Sequence, residues 1–475
     1  MTISGDGGGS PPKPHNPVEA DDTLSSKQRL RMLFVVGEGK IKSINDVFVN
    51  GTPIDRFDAT WEYRDGTVDQ SVISGFSQVE APNIPSVNAE LLYGLPIARE
   101  VSSNNVDAVR VTLKINGLSK ITAIGDKVGH SVNLRISTRK DASDVWTVQK
   151  LITKTGKASS IYKMDIRIER PANAAGSTWQ IQAERTSSDD ADSKSISPTF
   201  FDNFTEIQDV ALNYPHSALL GVVFNNAVEL GGELPEISCE GEWREVKVPN
   251  AAAYDAVNRE YTGSSWSGGW ALSKVSTDCL AWVAFDVLTD ARAGLGISEA
   301  EINKFSFFDF AKECDELIDD GKGLGTLEPR FSVNNQFFRR ENAATFLTFL
   351  FALGNFKLYT DEFGLIAITS DAPADATKIV NNSNVIDGVF DYKGNELDDT
   401  FSKVNVTFND PEDKYNTTTI TETRQDRLDR YGVIPSDLVL VGCTSEGQAR
   451  RKAKWMLNGP DGIINFKTGQ EGFIY

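Results

Sequence analysis

Val109-Arg110-Val111-Thr112-Leu113-Lys114-Ile115 is the stretch whose reading decides the fold. Apolar and polar residues alternate with a period of two, which on a strand sends Val109, Val111, Leu113 and Ile115 to one face and Arg110, Thr112 and Lys114 to the other. The same beat returns at Val132/Leu134/Ile136, Met164/Ile166/Ile168 and Trp179/Ile181/Ala183, with polar Gly, Ser and Asp clusters between. Repeated half-buried strands separated by turn residues predict a β-sandwich over 108–200. Ser187–Ser197, where Asp189, Asp190 and Asp192 sit among serines, reads as its exposed exit loop.

Working outward, Met32–Val36 and Ile44–Val49 read as strands, the second running into an Asn50-Gly51 turn, and a run around Trp61 and Tyr63 meets Asp65-Gly66. That spacing predicts a β meander. Residues 1–25 are rich in Gly, Pro, Ser and Asp and predict a flexible arm. Helix signals gather only beyond the sandwich. Ser276 or Thr277 is placed to cap a helix through Leu280, Val283, Ala284, Val287 and Leu288, and Ser298-Glu299-Ala300-Glu301 fits a capping box before Ile302, Phe305 and Phe308. A third helix over about Asn342–Leu353 stops at Gly354-Asn355, a hairpin covers Lys357–Ile368, and Val404, Val406 and Phe408 form a strand. Ser445-Glu446-Gly447-Gln448 is a second capping box. It opens a helix with Ala449, Ala453, Met456 and Leu457 inward and Arg450, Arg451 and Lys452 on the polar flank.

The fold class expected is mainly β (α+β) and multidomain. The plan is an arm over 1–25, a β-rich domain over 26–107 that resumes over 201–265, the inserted sandwich, an α/β domain over 266–370, and a β-rich domain over 371–475 with an amphipathic helix near 445–457. The 475 residues carry 48 Lys+Arg against 67 Asp+Glu, a net charge of −19, which lacks the basic footprint of a duplex binder and disfavours an anionic membrane surface. Four scattered cysteines, Cys239, Cys279, Cys314 and Cys443, suggest free thiols in a reducing compartment, not a disulfide framework or a CxxC zinc site. The amino terminus shows no basic and apolar export signal, and Ala343–Leu353 is too short and too interrupted to span a membrane.

Chemistry-bearing patterns are thin. His15, His130 and His216 form no HExxH pair, and no GxSxG elbow accompanies them, so zinc hydrolysis and nucleophilic catalysis lack their parts. Gly321-Lys322-Gly323-Leu324-Gly325-Thr326 is glycine-rich, but strand-like residues follow it where a phosphate loop needs a helix. Acid clusters at Asp315/Glu316, Asp319/Asp320 and Asp398/Asp399 read as solvated faces. Trp266, Trp270, Trp282 and Phe285 could stack on a sugar, but their placement in and beside an apolar helix favours core packing. No catalytic, cofactor-binding or metal-binding residue is assigned, no cofactor is expected, and the chain is not read as an enzyme.

A resemblance extends the reading. The opening Gly7–Ile54, then Gly75-Phe76, Glu90–Gly94, Asn105–Val111, Ala281-Trp282 with Asp286–Asp290, Glu328-Pro329-Arg330, and Tyr431-Gly432 followed by Gly442–Ala449 resemble the tip attachment protein J (host specificity protein J) family of lambda-like long-tailed bacteriophages. The resemblance implies a virion structural protein, the amino-terminal hub portion of a tail tip. Three copies, a homotrimer, would close the distal end of the tail tube, link it to a central fibre and open for DNA ejection. Implied partners are neighbouring tail-tip proteins and the tape measure protein, with phage DNA passing through without specific binding. Assembly is expected in the host cytoplasm. The family's host outer-membrane receptor is met through a carboxy-terminal fibre not expected within these residues, so the receptor-binding residues stay unknown. The alternative is a carbohydrate-binding or glycan-cleaving tail module, marked by an exposed groove where aromatics meet two convergent carboxylates.

Overall fold

The computed structural model describes residues 15–82, 84–263, 265–323, 325–336, 342–371, 379–394, 400–459 and 462–468. The chain divides into two compact units, one of Met1–Gly37 with Ile44–Glu240 and one of Glu38–Ser43 with Gly241–Tyr475. The architecture is mainly β and multidomain, as the alternation predicts.

In the first unit the decisive stretch lies inside the long strand Ala108–Ile121, and its four apolar residues are fully buried. One sheet runs Ala158–Glu169, Ala108–Ile121, Thr199–Asp209, Gln78–Pro82; the other runs Thr147–Gly156, His130–Arg139, Trp179–Arg185, Ile97–Val101. Their inner faces share one core, in which Val109, Val111, Leu113 and Ile115 join Val132, Leu134, Ile136, Trp179, Ile181 and Phe201. The opposite face is held by charge. Arg110 grips Glu80 through two bonds of 2.8 and 2.6 Å, and Lys114 lies 3.0 Å from Asp202. The sandwich therefore also draws strands from 78–101, which are short, and from 199–209, which shifts register against its neighbour between Phe201 and Asn203 and so carries a broken alternation.

The meander expected upstream does not form. Leu30–Glu38 and Ala59–Arg64 both flank Ser217–Phe224, a strand that returns after the sandwich. Alternation reveals that a segment is a strand and which face is apolar, but not its partner. The Asn50-Gly51 turn does join neighbours, with φ of 49° and 75° as a two-residue hairpin of mirror-image type requires. Of the expected arm, residues 1–14 lie outside the described residues. From His15 onward the chain lies along the sandwich. His15 Nε2 is 2.6 Å from Asp126, Thr23 and Leu24 N–H both donate to Lys157 O, and Asp22 accepts from Lys157 Nζ at 2.9 Å. That lysine, with the Ser159 N–H, pulls the Asp22 carboxyl down to about 2. The strap presses on Gly156, where a Cβ would come within 2.6 Å of Thr23 Oγ1.

The second unit carries five helices among the described residues: α1 (Leu280–Thr289), α2 (Lys304–Asp315), α3 (Ala343–Gly354), α4 (Gln425–Tyr431) and α5 (Glu446–Leu457). Neither Ser276 nor Thr277 caps α1. The Thr277 hydroxyl instead accepts the Cys279 N–H at 3.2 Å, one turn too early. Ser298 caps only the short 3₁₀ turn Glu299–Glu301, and Asn303 caps α2 by accepting from Ser306 N–H. Helix α3 gives way at Asn355, φ 50°, to the hairpin Phe356–Thr360/Ile366–Ser370. Lys403–Asp410 pairs antiparallel with Asn416–Thr423 and parallel with Pro435–Val439. Ala449, Ala453 and Leu457 of α5 share the core with Val404, Val406 and Phe408 of that sheet.

An ion cluster holds α1. Asp286 and Asp290 both meet Arg244, at 2.9 and 2.6 Å, and Lys274 reaches both. Burial alone would raise the Asp290 carboxyl, but the Ala293 and Arg292 N–H groups and the Arg244 charge bring it down to about 2.

Two measurements test these packings. In urea, Leu113→Ala should lose about 2–5 kcal/mol of stability, whereas Leu151→Ala, 72% exposed on the outermost strand, should change it by less than about 0.5. A carboxyl depressed in the folded state stabilises above its unfolded value near 3.9 and loses that contribution as pH falls toward 2. Asp290→Asn should therefore flatten the fall in melting temperature between about pH 5 and 2; an unchanged slope would remove Asp290 from the account.

Candidate functional site

Two segments about 120 residues apart in the chain, Glu328-Pro329-Arg330 and Gly442–Ala449, interlock at the start of α5. The Ser445 hydroxyl accepts the Gln448 N–H at 3.0 Å, as a capping box requires, and donates to Glu328 Oε2 at 2.6 Å. Arg451, one and a half turns on, donates to Glu328 Oε1 at 2.7 Å and to the carbonyl of Arg330 at 3.0 Å. The Gln448 side chain is buried. It accepts from the Ser332 N–H and donates to the Ser332 and Leu353 carbonyls, tying α5 to the end of α3. Gly447 has no room for a side chain, since a Cβ would fall on Glu328 Oε1 and within 2.6 Å of the Asp320 carbonyl. Cys443 is buried beneath the turn, its thiol donating to Ser445 O at 3.2 Å and pushed by burial up to about 12. Such a thiol is inert at neutral pH. The polar flank expected of α5 divides: Arg450 pairs with Glu446 and Glu422, but Lys452 is buried, because position 452 follows Gln448 and Ala449 on the inward stripe.

The second polar concentration is sealed. Asp315, expected on a solvated face, is 3% exposed. It accepts from the Tyr254 and Tyr261 hydroxyls at 2.8 and 2.7 Å and from Arg259 at 2.9 Å, and Arg259 also pairs with Asp278. Burial, with the nearby charge of Asp315 among the further causes, drives both phenols above their ordinary range, so neither can act as a base near neutrality. Asp315 follows Phe308 and Ala311 by seven and four residues, so helical spacing alone puts it on the core face. Asp320 is likewise buried, while Asp398 and Asp399 lie outside the described residues. Trp266, Trp282 and Phe285 are buried at 4, 0 and 0%, and Trp270 packs against them at 4.7–6.1 Å with its Nε1–H on Glu299. These aromatics form a core, not a stacking face.

The remaining expectations fall apart in space. His130 is 3.6 Å from Asp190, and Gly321–Gly323 belongs to the turn of a hairpin between Leu317–Asp319 and Leu327–Pro329, with Leu324 outside the described residues. Among the described residues no group of three or more His, Cys, Asp or Glu is placed to hold a metal ion, and no helix is long and apolar enough to cross a membrane. What sequence reasoning missed is a surface. Val385–Gly394 and Gly462–Thr468 form a two-stranded ribbon in which Phe390 faces Phe466 and Tyr392 faces Ile464. Directly opposed residues share a face, so these four make one apolar side, with Tyr392, Ile464 and Phe466 exposed at 71, 52 and 40%. The signal was the alternation of Phe390 and Tyr392 with Asp391 and Lys393.

The first unit holds a two-sheet sandwich, and among the described residues of the second the Asp315 network is folded inward while one face of a two-stranded ribbon is apolar and exposed. Comparison with known sequences gives the class. The tip attachment protein J FNIII-A domain matches residues 83–210, the sandwich, and the Phage-tail_3 family of phage tail proteins matches 342–459, which includes α3 to α5. Over 99% of its length the chain is 32% identical to Tip attachment protein J of Escherichia phage SECphi4 and 29% identical to Tip attachment protein J of Escherichia phage SECphi27. The chain is similar to these two tip attachment proteins along nearly its whole length, and spans 41 and 40% of theirs. A solved structure of the stem and receptor binding domain of spike protein P1 from bacteriophage PM2 overlaps 43% of this chain and 99% of that one at 12% identity, with a TM-score of 0.18, too low to indicate a shared fold.

The interlock yields a sign test. Helix propensity alone favours Gly447→Ala by about 1 kcal/mol, whereas the clash with Glu328 and Asp320 predicts a loss of about 2 kcal/mol or more. Scanning calorimetry should show a lower melting temperature for Gly447→Ala than for Ser445→Ala, which loses about 1 kcal/mol with its cap. A stabilised Gly447→Ala would mean that α5 is not seated as described.

Proposed function

We propose that the chain is the hub of a long-tailed phage's tail tip, present as three copies around the axis at the distal end of the tail tube and assembled in the host cytoplasm with neighbouring tip proteins and the tape measure protein. The observation that carries this reading is the similarity over 99% of the chain to two tip attachment proteins. Physical features support it. A net charge of −19 per copy suits the wall of a conduit, because like charge lets a polyanion slide without sticking. The apolar ribbon face is the kind of surface that a neighbouring molecule covers in an assembly. In this reading the hub acts by assembly and by opening for DNA ejection, not by catalysis. Contact with the host receptor falls to parts of the relatives that these residues do not match.

Electron cryomicroscopy of the assembled particle tests this directly. Density for this chain in three positions around the distal tail axis is the expected result, with acidic residues lining the channel. A peripheral position, or absence from the particle, would reject the hub.

A further inference from the structure

Beside the interlock, within the second unit, a cleft of about 550 Å³ opens between the ends of α2 and α3 and the flank of α5. Its polar wall is cationic where it is deepest. Lys452 is 8% exposed, and its ammonium donates to Asn355 Oδ1 and lies 4.4 Å from the centre of the Trp455 ring. An ammonium has three donors, and among the described residues Asn355 is its hydrogen-bond partner. Burial brings this amine down to about 8, with the Asp371 charge opposing. Arg451 also lines the cleft, and its Nε is buried without a hydrogen-bond partner among the described residues.

The acids of the cleft leave these donors unmet. Glu316 is held by Arg330 at 2.6 Å, and Asp371 accepts the Trp455 Nε1–H at 2.8 Å. Glu313 completes the acids, while Arg330 and Lys454 add cations at the same wall. Buried donors without acceptors are costly, and a carboxylate is the acceptor that best satisfies the remaining donors of the Lys452 ammonium. The rest of the lining fits a peptide better than a free anion. Phe331 and Leu353 are apolar, Trp455 is 43% exposed at the cleft, and the volume is several times that of a single anionic group.

We propose that this cleft docks an acidic peptide segment of a partner chain, with one carboxylate seated on the Lys452 ammonium and the adjoining residues lying against Trp455. The inference rests on the cleft alone and stands whether or not the chain is a tail hub.

The test is a saturation-transfer NMR titration of the full chain with the probe peptide acetyl-Gly-Glu-Leu-Glu-Gly amide, its Gln-for-Glu counterpart, and inorganic phosphate. The Glu peptide should saturate below about 5 mM, and the Gln peptide should bind about tenfold more weakly or worse. Lys452→Met should weaken the Glu peptide by about tenfold, towards the level of the Gln peptide. Trp455→Ala should weaken both peptides alike while circular dichroism shows the fold retained, which keeps the test open if Lys452→Met fails to fold. Equal affinity for the two peptides, titrations unmoved by either variant, or binding of phosphate with neither peptide retained would overturn the proposal.

Discussion

The second unit is organised around one carboxylate. Glu328 accepts from the Ser445 hydroxyl and from Arg451, and the backbone at Gly447 closes against it. Ser445 caps α5 by accepting from Gln448 and at the same time donates to Glu328, so the carboxylate is bonded to the residue at which the helix starts. Everything further along inherits that register. Ala449, Ala453 and Leu457 fall on the three-stranded sheet, Gln448 reaches Ser332 and the end of α3, and Lys452 is carried to Asn355. A helix of twelve residues is too short to hold itself in water, so these tertiary contacts, more than propensity, keep it in place.

The pattern of legibility follows from which forces are local. Alternation exposed the inner faces of the sandwich because a half-buried strand must repeat every two residues, and Val109 to Ile115 obey that rule without exception. The capping box at Ser445 was readable because its two partners lie three residues apart. Strand partners were not readable: Leu30–Glu38 and Ala59–Arg64 wait for Ser217–Phe224, and nothing in three segments so far apart declares that they will meet. The cap of α1 was misplaced because Thr277 satisfies a single N–H ahead of the helix and thereby looks like a cap without being one.

Charged residues misled most. Residue type alone places Asp315 and Lys452 in solvent, whereas helical spacing puts each on an inward stripe. Burial of an ionisable group is favourable only when partners replace water, and partners come from distant chain: Tyr254, Tyr261 and Arg259 for Asp315. Among the described residues Lys452 has a thinner set, one amide oxygen and one aromatic face. The contrast between a fully matched buried acid and a poorly matched buried base is what separates a structural network from a site.

The ribbon at Val385–Gly394 and Gly462–Thr468 poses the complementary problem on the outside. Two strands alone are marginal in water, and among the described residues this sheet has two strands, with Phe390 and Phe466 5.7 Å apart on one face and Tyr392 and Ile464 beside them. Side chains of the opposite face include Asp391, Lys393, Asn465 and Lys467, so the ribbon has an inside and an outside without having an interior. Keeping an aromatic face open to water gains no stability. A face of this kind gains stability when another surface covers it, which is the general reason that such ribbons suit assemblies.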